Sequence, residues 1–304
     1  MPGNNKFTST SINSANTAIT VVFSQAVSGT SGGSGNLDQN DFTISLTGGT
    51  ATSPVISSVS NTSSTEKVLT ISHTGTANGS ETITVLPATG AIFLENSTTS
   101  LTTTHSNNTV SLNDKTVPIF TSVSPSTNSS VKTTAIGYTL SEAIASGSVV
   151  WTRTSGTADG NSPHTAALAG AELNTGTRSS AVLTNAPPLV SGTIYTIAFN
   201  GTDAAGNAAT EVSVTGITFD TTAPTLAQIS AVPTPSNDTT PSFIFTTDEA
   251  GTITTNISEG FSTSSSATTG SNQTITFNTL SAGTYANKTI TVTDAAGNAG
   301  SLTI

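Results

Sequence analysis

Thr193-Ile194-Tyr195-Thr196-Ile197-Ala198-Phe199 leads within three residues into Thr202-Asp203-Ala204-Ala205-Gly206-Asn207-Ala208. In the first stretch Tyr195, Ile197 and Phe199 fall on alternate positions, which is the period of a strand with one buried and one wet face. The second stretch is turn chemistry, because Asp, Gly and Asn tolerate tight backbone geometry that strands do not. The same seven residues recur as Thr293-Asp294-Ala295-Ala296-Gly297-Asn298-Ala299, 91 positions later. Each copy follows a matching block, Gly192-Thr193-Ile194-Tyr195 or Gly283-Thr284-Tyr285. A strand and turn that repeat at this spacing mark an array of similar units.

The alternation extends over the whole chain. Ile19, Val21 and Phe23 show it, as do Phe42, Ile44 and Leu46. So do Ile136, Tyr138 and Leu140, then Phe243 with Phe245, Ile275 with Phe277, and Ile290 with Val292. Short strands broken by turn residues describe an all-β fold of immunoglobulin-like β-sandwiches in tandem, and the pattern predicts an elongated rod of them. The Ala-rich segment His164–Leu173 has room for one or two helical turns at most. Tyr195 and Tyr285 each follow a Leu-x-x-Gly-Thr pattern (Leu189, Leu280) that suits a tyrosine corner, or each is a half-buried strand residue.

A second repeat sets the boundaries. Asp114-Lys115-Thr116-Val117-Pro118 is echoed by Asp220-Thr221-Thr222-Ala223-Pro224. Proline fixes φ and biases the residue before it to an extended form, so these junctions are expected to be short and stiff. They divide the 304 residues into 1–115, 116–220 and 221–304, each of a size suited to one domain.

Composition excludes several functions. Charged residues make up 8% of the chain, and the formal net charge is −10 with 7 Lys plus Arg. So few cations cannot build a patch for nucleic acid or an anionic membrane surface. There is no cysteine, hence no disulfide and no thiol chemistry. No apolar run is long enough to span a bilayer as a helix. The N-terminus lacks the basic and apolar regions of a signal peptide, and the chain stops within the strand-like Ser301-Leu302-Thr303-Ile304, which reads as a segment of something larger. The three histidines, at 73, 105 and 164, stand in unrelated contexts, and no nucleophile elbow, phosphate-binding loop or zinc-protease motif is present. No catalytic or cofactor-binding residue is assigned, and the chain is read as no enzyme. Trp151, the only tryptophan, is expected to plug a core between two sheets, with Arg153 on the same face near the strand's end.

With these motifs in place, residues 116–304 resemble the bacterial Ig-like repeats of large surface adhesins and biofilm-associated proteins. The resemblance rests on the Asp-x-x-Ala/Val-Pro lead-ins and the Asp-Ala-Ala-Gly-Asn turns. Residues 1–115 resemble a related, divergent repeat type, through Asn36-Leu37-Asp38, Asp41-Phe42-Thr43 and Asn113-Asp114-Lys115-Thr116. The resemblance implies an extracellular, cell-surface spacer that projects a binding tip, with neighbouring repeats of the same polypeptide as its partners.

It also implies joints stiffened by calcium. Ca²⁺ takes about 6–8 oxygen ligands, usually several carboxylates. At the second junction Asp220, Asp203, Asp248 and Glu249 are the expected ligands, and at the first Asp114, Glu142 and Glu95, with Lys115 weakening that site. Asp294 would serve a further repeat. The alternative for each Asp is a turn cap without any ion. A second functional reading is a filament subunit, in which Lys6–Ile12 completes the sheet of a neighbouring subunit. A third is a ligand-binding module built on the irregular insert Thr154–Thr177.

Overall fold

The computed structural model describes residues 6–304. It is all-β, with no α-helix among the described residues. The described chain divides into two compact units. One runs up to Val117 and includes Ala204–Asn207, and the other comprises Pro118–Asp203 and Ala208–Ile304.

The first unit contains β1 (Phe7–Ile12), β2 (Ala18–Phe23), β3 (Val27–Ser28), β4 (Phe42–Thr47), β5 (Thr52–Ser60), β6 (Glu66–Thr74), β7 (Thr82–Pro87), β8 (Phe93–Leu94) and β9 (Thr109–Ser111). They form sheets of order β1-β2-β6-β5 and β4-β7-β9, plus the short pair β3-β8. The alternation read from sequence is realised in β2, where Ile19, Val21 and Phe23 are buried and the residues between them are not. These three meet Leu69, Ile71, Ile83 and Val85 in one apolar core. β1, the segment proposed as a donor strand, pairs antiparallel with β2 of its own chain, Ile12 opposite Ile19.

A buried carboxylate fastens one end of this core. Glu81 has no exposed surface. Its Oε1 accepts from the backbone N–H of Thr50 (2.7 Å) and Ala51 (2.9 Å), and both its oxygens lie within reach of Asn78 N–H (3.2 and 3.1 Å). Burial pushes this carboxyl up, but the N–H groups of Ala51, Thr50 and Asn78 outweigh it and hold the pKa at about 2. Gly49, at φ +57°, lies so close that a Cβ there would sit 2.1 Å from the Glu81 carboxyl carbon.

The second unit holds two cores. Around the first lie β10 (Phe120–Ser124), β11 (Ser130–Val131), β12 (Ile136–Leu140), β13 (Ser146–Gly156), β14 (His164–Ala167), β15 (Gly176–Ala181), β16 (Thr193–Thr202) and β17 (Val212–Phe219). Their sheets have the orders β10-β12-β15 and β11-β17-β16-β13-β14. β10 and β11 belong to opposite sheets, and β11 pairs parallel with β17. β16 alternates without interruption, with Tyr195, Ile197 and Phe199 wholly buried. Trp151 is fully buried and meets Tyr195 edge to face at 5.9 Å, so it is core, as expected. Arg153 is exposed and donates to the carbonyls of Gly156 and Thr157 at its own strand end.

The Ala-rich segment is strand in its first half and 3₁₀ turn in its second. His164–Ala167 pairs with β13, His164 opposite Trp151, and only Gly170–Leu173 winds into a 3₁₀ turn. Pairing against a buried neighbour outweighs the helix preference of alanine. Tyr195 makes the corner. Its hydroxyl accepts from Val190 N–H (3.1 Å) and donates to Asp159 Oδ2 (2.7 Å), which His164 Nε2 also contacts (2.7 Å). The insert is thereby pinned to the core through Asp159.

Around the other core lie β18 (Leu226–Ser230), β19 (Ser242–Thr247), β20 (Gly251–Thr255), β21 (Ser266–Ala267), β22 (Gln273–Thr276), β23 (Thr289–Thr293) and β24 (Ala299–Thr303). The sheets are β18-β19-β22 and β21-β20-β23-β24. Phe243, Phe245, Ile275, Phe277, Ile290 and Val292 fill the space between them. Tyr285 departs from its counterpart. It lies outside any strand, half-buried, with its hydroxyl donating to Ser281 O (3.0 Å).

Candidate metal centre

Three strand ends converge at one place in the second unit. Asp220 follows β17, Glu249 stands two residues after β19, and Asp294 follows β23. One carboxylate oxygen from each lies within 4.8 Å of the others, and all three residues are half-buried. β19 and β23 belong to different sheets, so the acids bridge the two faces of the sandwich at its leading end.

Each aspartate is oriented by its own turn. Asp294 opens the Asp-Ala-Ala-Gly-Asn turn. Its Oδ1 accepts from Asn298 N–H (2.8 Å) and its Oδ2 from Asn298 Nδ2 (2.9 Å), while Gly297 takes the φ of +87° that the turn needs. Asn298 Nδ2 also donates to the backbone carbonyl of Asp220 (3.0 Å). Asp220 Oδ1 accepts from Thr222 N–H (2.9 Å) and from the Ser191 hydroxyl (3.2 Å). Lys132, just after β11, donates from Nζ to Gly297 O. The strand ends of one core are thus hydrogen-bonded to the turn of the next.

The electrostatics of this group are unfavourable as it stands. Burial raises the Glu249 carboxyl above its usual range, and Asp220, Asp294 and Asp248 raise it further. Three carboxylates that repel one another are a donor set a hard divalent cation would suit, since each supplies one or two oxygens.

The sequence placed these acids partly wrongly. Asp248 lies outside the group. Its Oδ1 accepts from Thr225 N–H (2.7 Å), and that bond lowers its pKa. Asp294, assigned to a further repeat, takes its place. Asp203 does not approach Asp220 either, because β17 lies between them. Its eight residues, at roughly 3.3 Å each, span about 26 Å. Asp203 is buried and has Glu142 beside it, with carboxylate oxygens within 4.8 Å of each other. In the first unit, Asp114 Oδ1 caps Thr116 N–H (2.9 Å), and Asn207 Nδ2 donates to Asp114 O (3.3 Å). Glu95 is exposed and acts on Lys67, whose ammonium it holds up against desolvation.

Residues 114–221 match the family model of the bacterial Ig-like domain. The match begins at the first junction aspartate and ends one residue past the second. Domains of this family are non-catalytic structural modules, typically found in extracellular and surface proteins. No curated protein matches the chain. No helix among the described residues is long and apolar enough to cross a membrane.

Proposed function

We propose that this chain, with its match to the bacterial Ig-like domain, is a spacer segment of a secreted bacterial surface adhesin. Three sandwiches, divided near residues 115 and 220, would hold a binding tip away from the cell. The observation that supports it best is the joint at Asp220. There the linker between β17 and β18 is held at Asp220 by the next turn through Asn298, beside a set of three carboxylates. A stalk needs joints that resist bending, and side-chain bonds from turn to linker serve that need without any binding surface.

Calcium is the proposed ion. Asp220, Glu249 and Asp294 would hold it, and it would neutralise the repulsion that raises the Glu249 carboxyl. Its chemistry here is structural, to lock the linker against the turn. Asp203 and Glu142, the pair at the leading end of the preceding sandwich, are proposed ligands of the same kind, with Asp114 at the same motif position as Asp220.

Small-angle scattering with thermal unfolding, in calcium and then in excess chelator, tests the reading. The expected result is an extended monomer whose melting temperature rises with calcium and whose stiffness falls with chelator. Concentration-dependent polymers would overturn the spacer in favour of the filament. An extended monomer indifferent to calcium would keep the spacer and remove the ion.

A further inference from the structure

β1 is attached to its sheet in two parts. Ser9–Ile12 runs in register along β2, from Ser9 opposite Val22 to Ile12 opposite Ile19, and an irregularity between Phe7 and Ser9 sets the start of the strand apart. Before that break the strand is held to its sheet at three points. Phe7 stands opposite Phe23, Ser24 N–H donates to Lys6 O (2.8 Å), and the Thr8 hydroxyl donates to Val22 O (3.0 Å).

His105 grips this end from 99 positions away. Its Nδ1 lies 3.3 Å from the backbone nitrogen of Lys6, and its Nε2 lies 2.7 Å from Thr102 O. A backbone N–H can only donate, so Nδ1 accepts, and the proton of the neutral ring sits on Nε2, where it is donated to the Thr102 carbonyl. The ring stacks on Phe7, with centroids 4.5 Å apart, and Phe7 in turn meets Phe23 edge to face at 4.9 Å. Both phenylalanines are buried in the apolar core of the first unit. One imidazole, neutral and in one tautomer, thus covers Phe7 and accepts from Lys6.

We infer that His105 is an acid-sensitive latch on the start of β1: a proton taken from solvent at Nδ1 releases residues 6–8 from the sheet and leaves Ser9–Ile12 paired. The imidazolium has two N–H donors and no acceptor. Its new N–H faces the N–H of Lys6, donor against donor, and the bond between them is lost. Lys6 is also the one ionisable side chain besides His105 in residues 6–12, 18–24 and 100–106, the segments that meet at the ring. Burial lowers the pKa of His105 from 6.5, against a smaller opposing pull from the Thr102 carbonyl. The folded chain therefore favours the neutral ring. The latch is fully closed above the unfolded value, and its stabilisation is lost as pH falls through the folded one. The inference does not depend on the spacer reading or on calcium.

The test uses the whole chain, with the ring titration followed by NMR and amide hydrogen exchange corrected for its intrinsic pH dependence. The His105 resonance is the one missing from the His105→Gln spectrum. It should titrate below 6.5, and protection of the Lys6 and Ser24 amides should fall at least about tenfold over the same range, as one unit of pKa shift implies. Protection of Ser9–Ile12 should not change. His105→Gln, which keeps an acceptor and does not titrate, should lose the pH dependence. His105→Phe, which keeps the stacking surface without the acceptor, should leave Lys6 and Ser24 open at neutral pH. A ring that titrates at or above 6.5, exchange that ignores the titration, or a pH response that survives in His105→Gln would each overturn the latch.

Discussion

Asn298 joins a turn to a linker: its side-chain amide donates at once to Asp294 Oδ2 (2.9 Å) and to the backbone carbonyl of Asp220 (3.0 Å). One residue therefore sets both the shape of the turn and the position of the preceding strand's end. Asn298→Ala removes both bonds and leaves the half-buried Asp220 carbonyl without that donor. A loss of about 1–2 kcal/mol is expected, read as a lower urea midpoint. Asn298→Asp should cost more than Asn298→Ala, since it removes the donor and adds a fourth negative charge.

Glu249→Gln separates repulsion from ligation. The folded-state pKa of Glu249 lies above its unfolded value, so the charged form weakens the fold at neutral pH. This penalty is relieved as pH falls through the folded pKa and is gone below the unfolded one. Without calcium, Glu249→Gln should therefore leave stability equal or higher. With calcium, wild type should gain about 2.7 kcal/mol at 100 times Kd, and the variant much less. Calorimetric melting at several calcium concentrations measures both. A calcium response that survives in Glu249→Gln would remove this residue from the site.

Glu81 works in the opposite sense. Its pKa is about 2 in the folded chain against 4.5 when unperturbed. Its stabilisation is present above the unfolded value and is lost as pH falls through the folded one. A shift of this size corresponds to about 3 kcal/mol. Glu81→Gln should lower the melting temperature of the first unit at pH 7, and the difference from wild type should close towards pH 2. Gly49→Ala should destabilise the same unit, because its methyl group displaces the carboxylate.

Tyr195→Phe tests the corner. It leaves Val190 N–H without its acceptor, a loss of about 1–3 kcal/mol. Trp151, the only tryptophan, touches Tyr195 directly, so its fluorescence reports unfolding of this core alone. An unchanged midpoint would mean that the hydroxyl is dispensable and that packing alone holds the corner.

Much of the fold was legible because its signal is local. Alternation in Ile19-Val21-Phe23 or Tyr195-Ile197-Phe199 needs only the neighbouring residues, and Trp151 stands in such a strand. The acids were legible as chemistry but not as places. Asp203 and Asp294 are identical in motif, yet which linker each faces depends on the direction of the strand before it, and that is a property of the whole sheet. Glu81 was not read as a buried anchor, since two of the N–H groups that bind it, those of Thr50 and Ala51, come from a glycine turn some thirty positions earlier. Tyr195 and Tyr285 look alike in sequence, and each hydroxyl bonds the backbone just upstream, at Val190 N–H and Ser281 O. They differ in setting: Tyr195 is buried within β16, whereas Tyr285 is half-buried and outside any strand.

The parallel pairing of β11 with β17 has a mechanical consequence. These are segments from the opening and closing stretches of one sandwich, side by side, bonded at Asn128 N–H to Thr215 O (2.9 Å), Thr218 N–H to Ser129 O (3.0 Å) and Asp220 N–H to Val131 O (2.9 Å). Tension applied to the two ends of this sandwich pulls the segments past each other along their length. The load then falls on all of these bonds together, in shear, and does not peel them apart one by one.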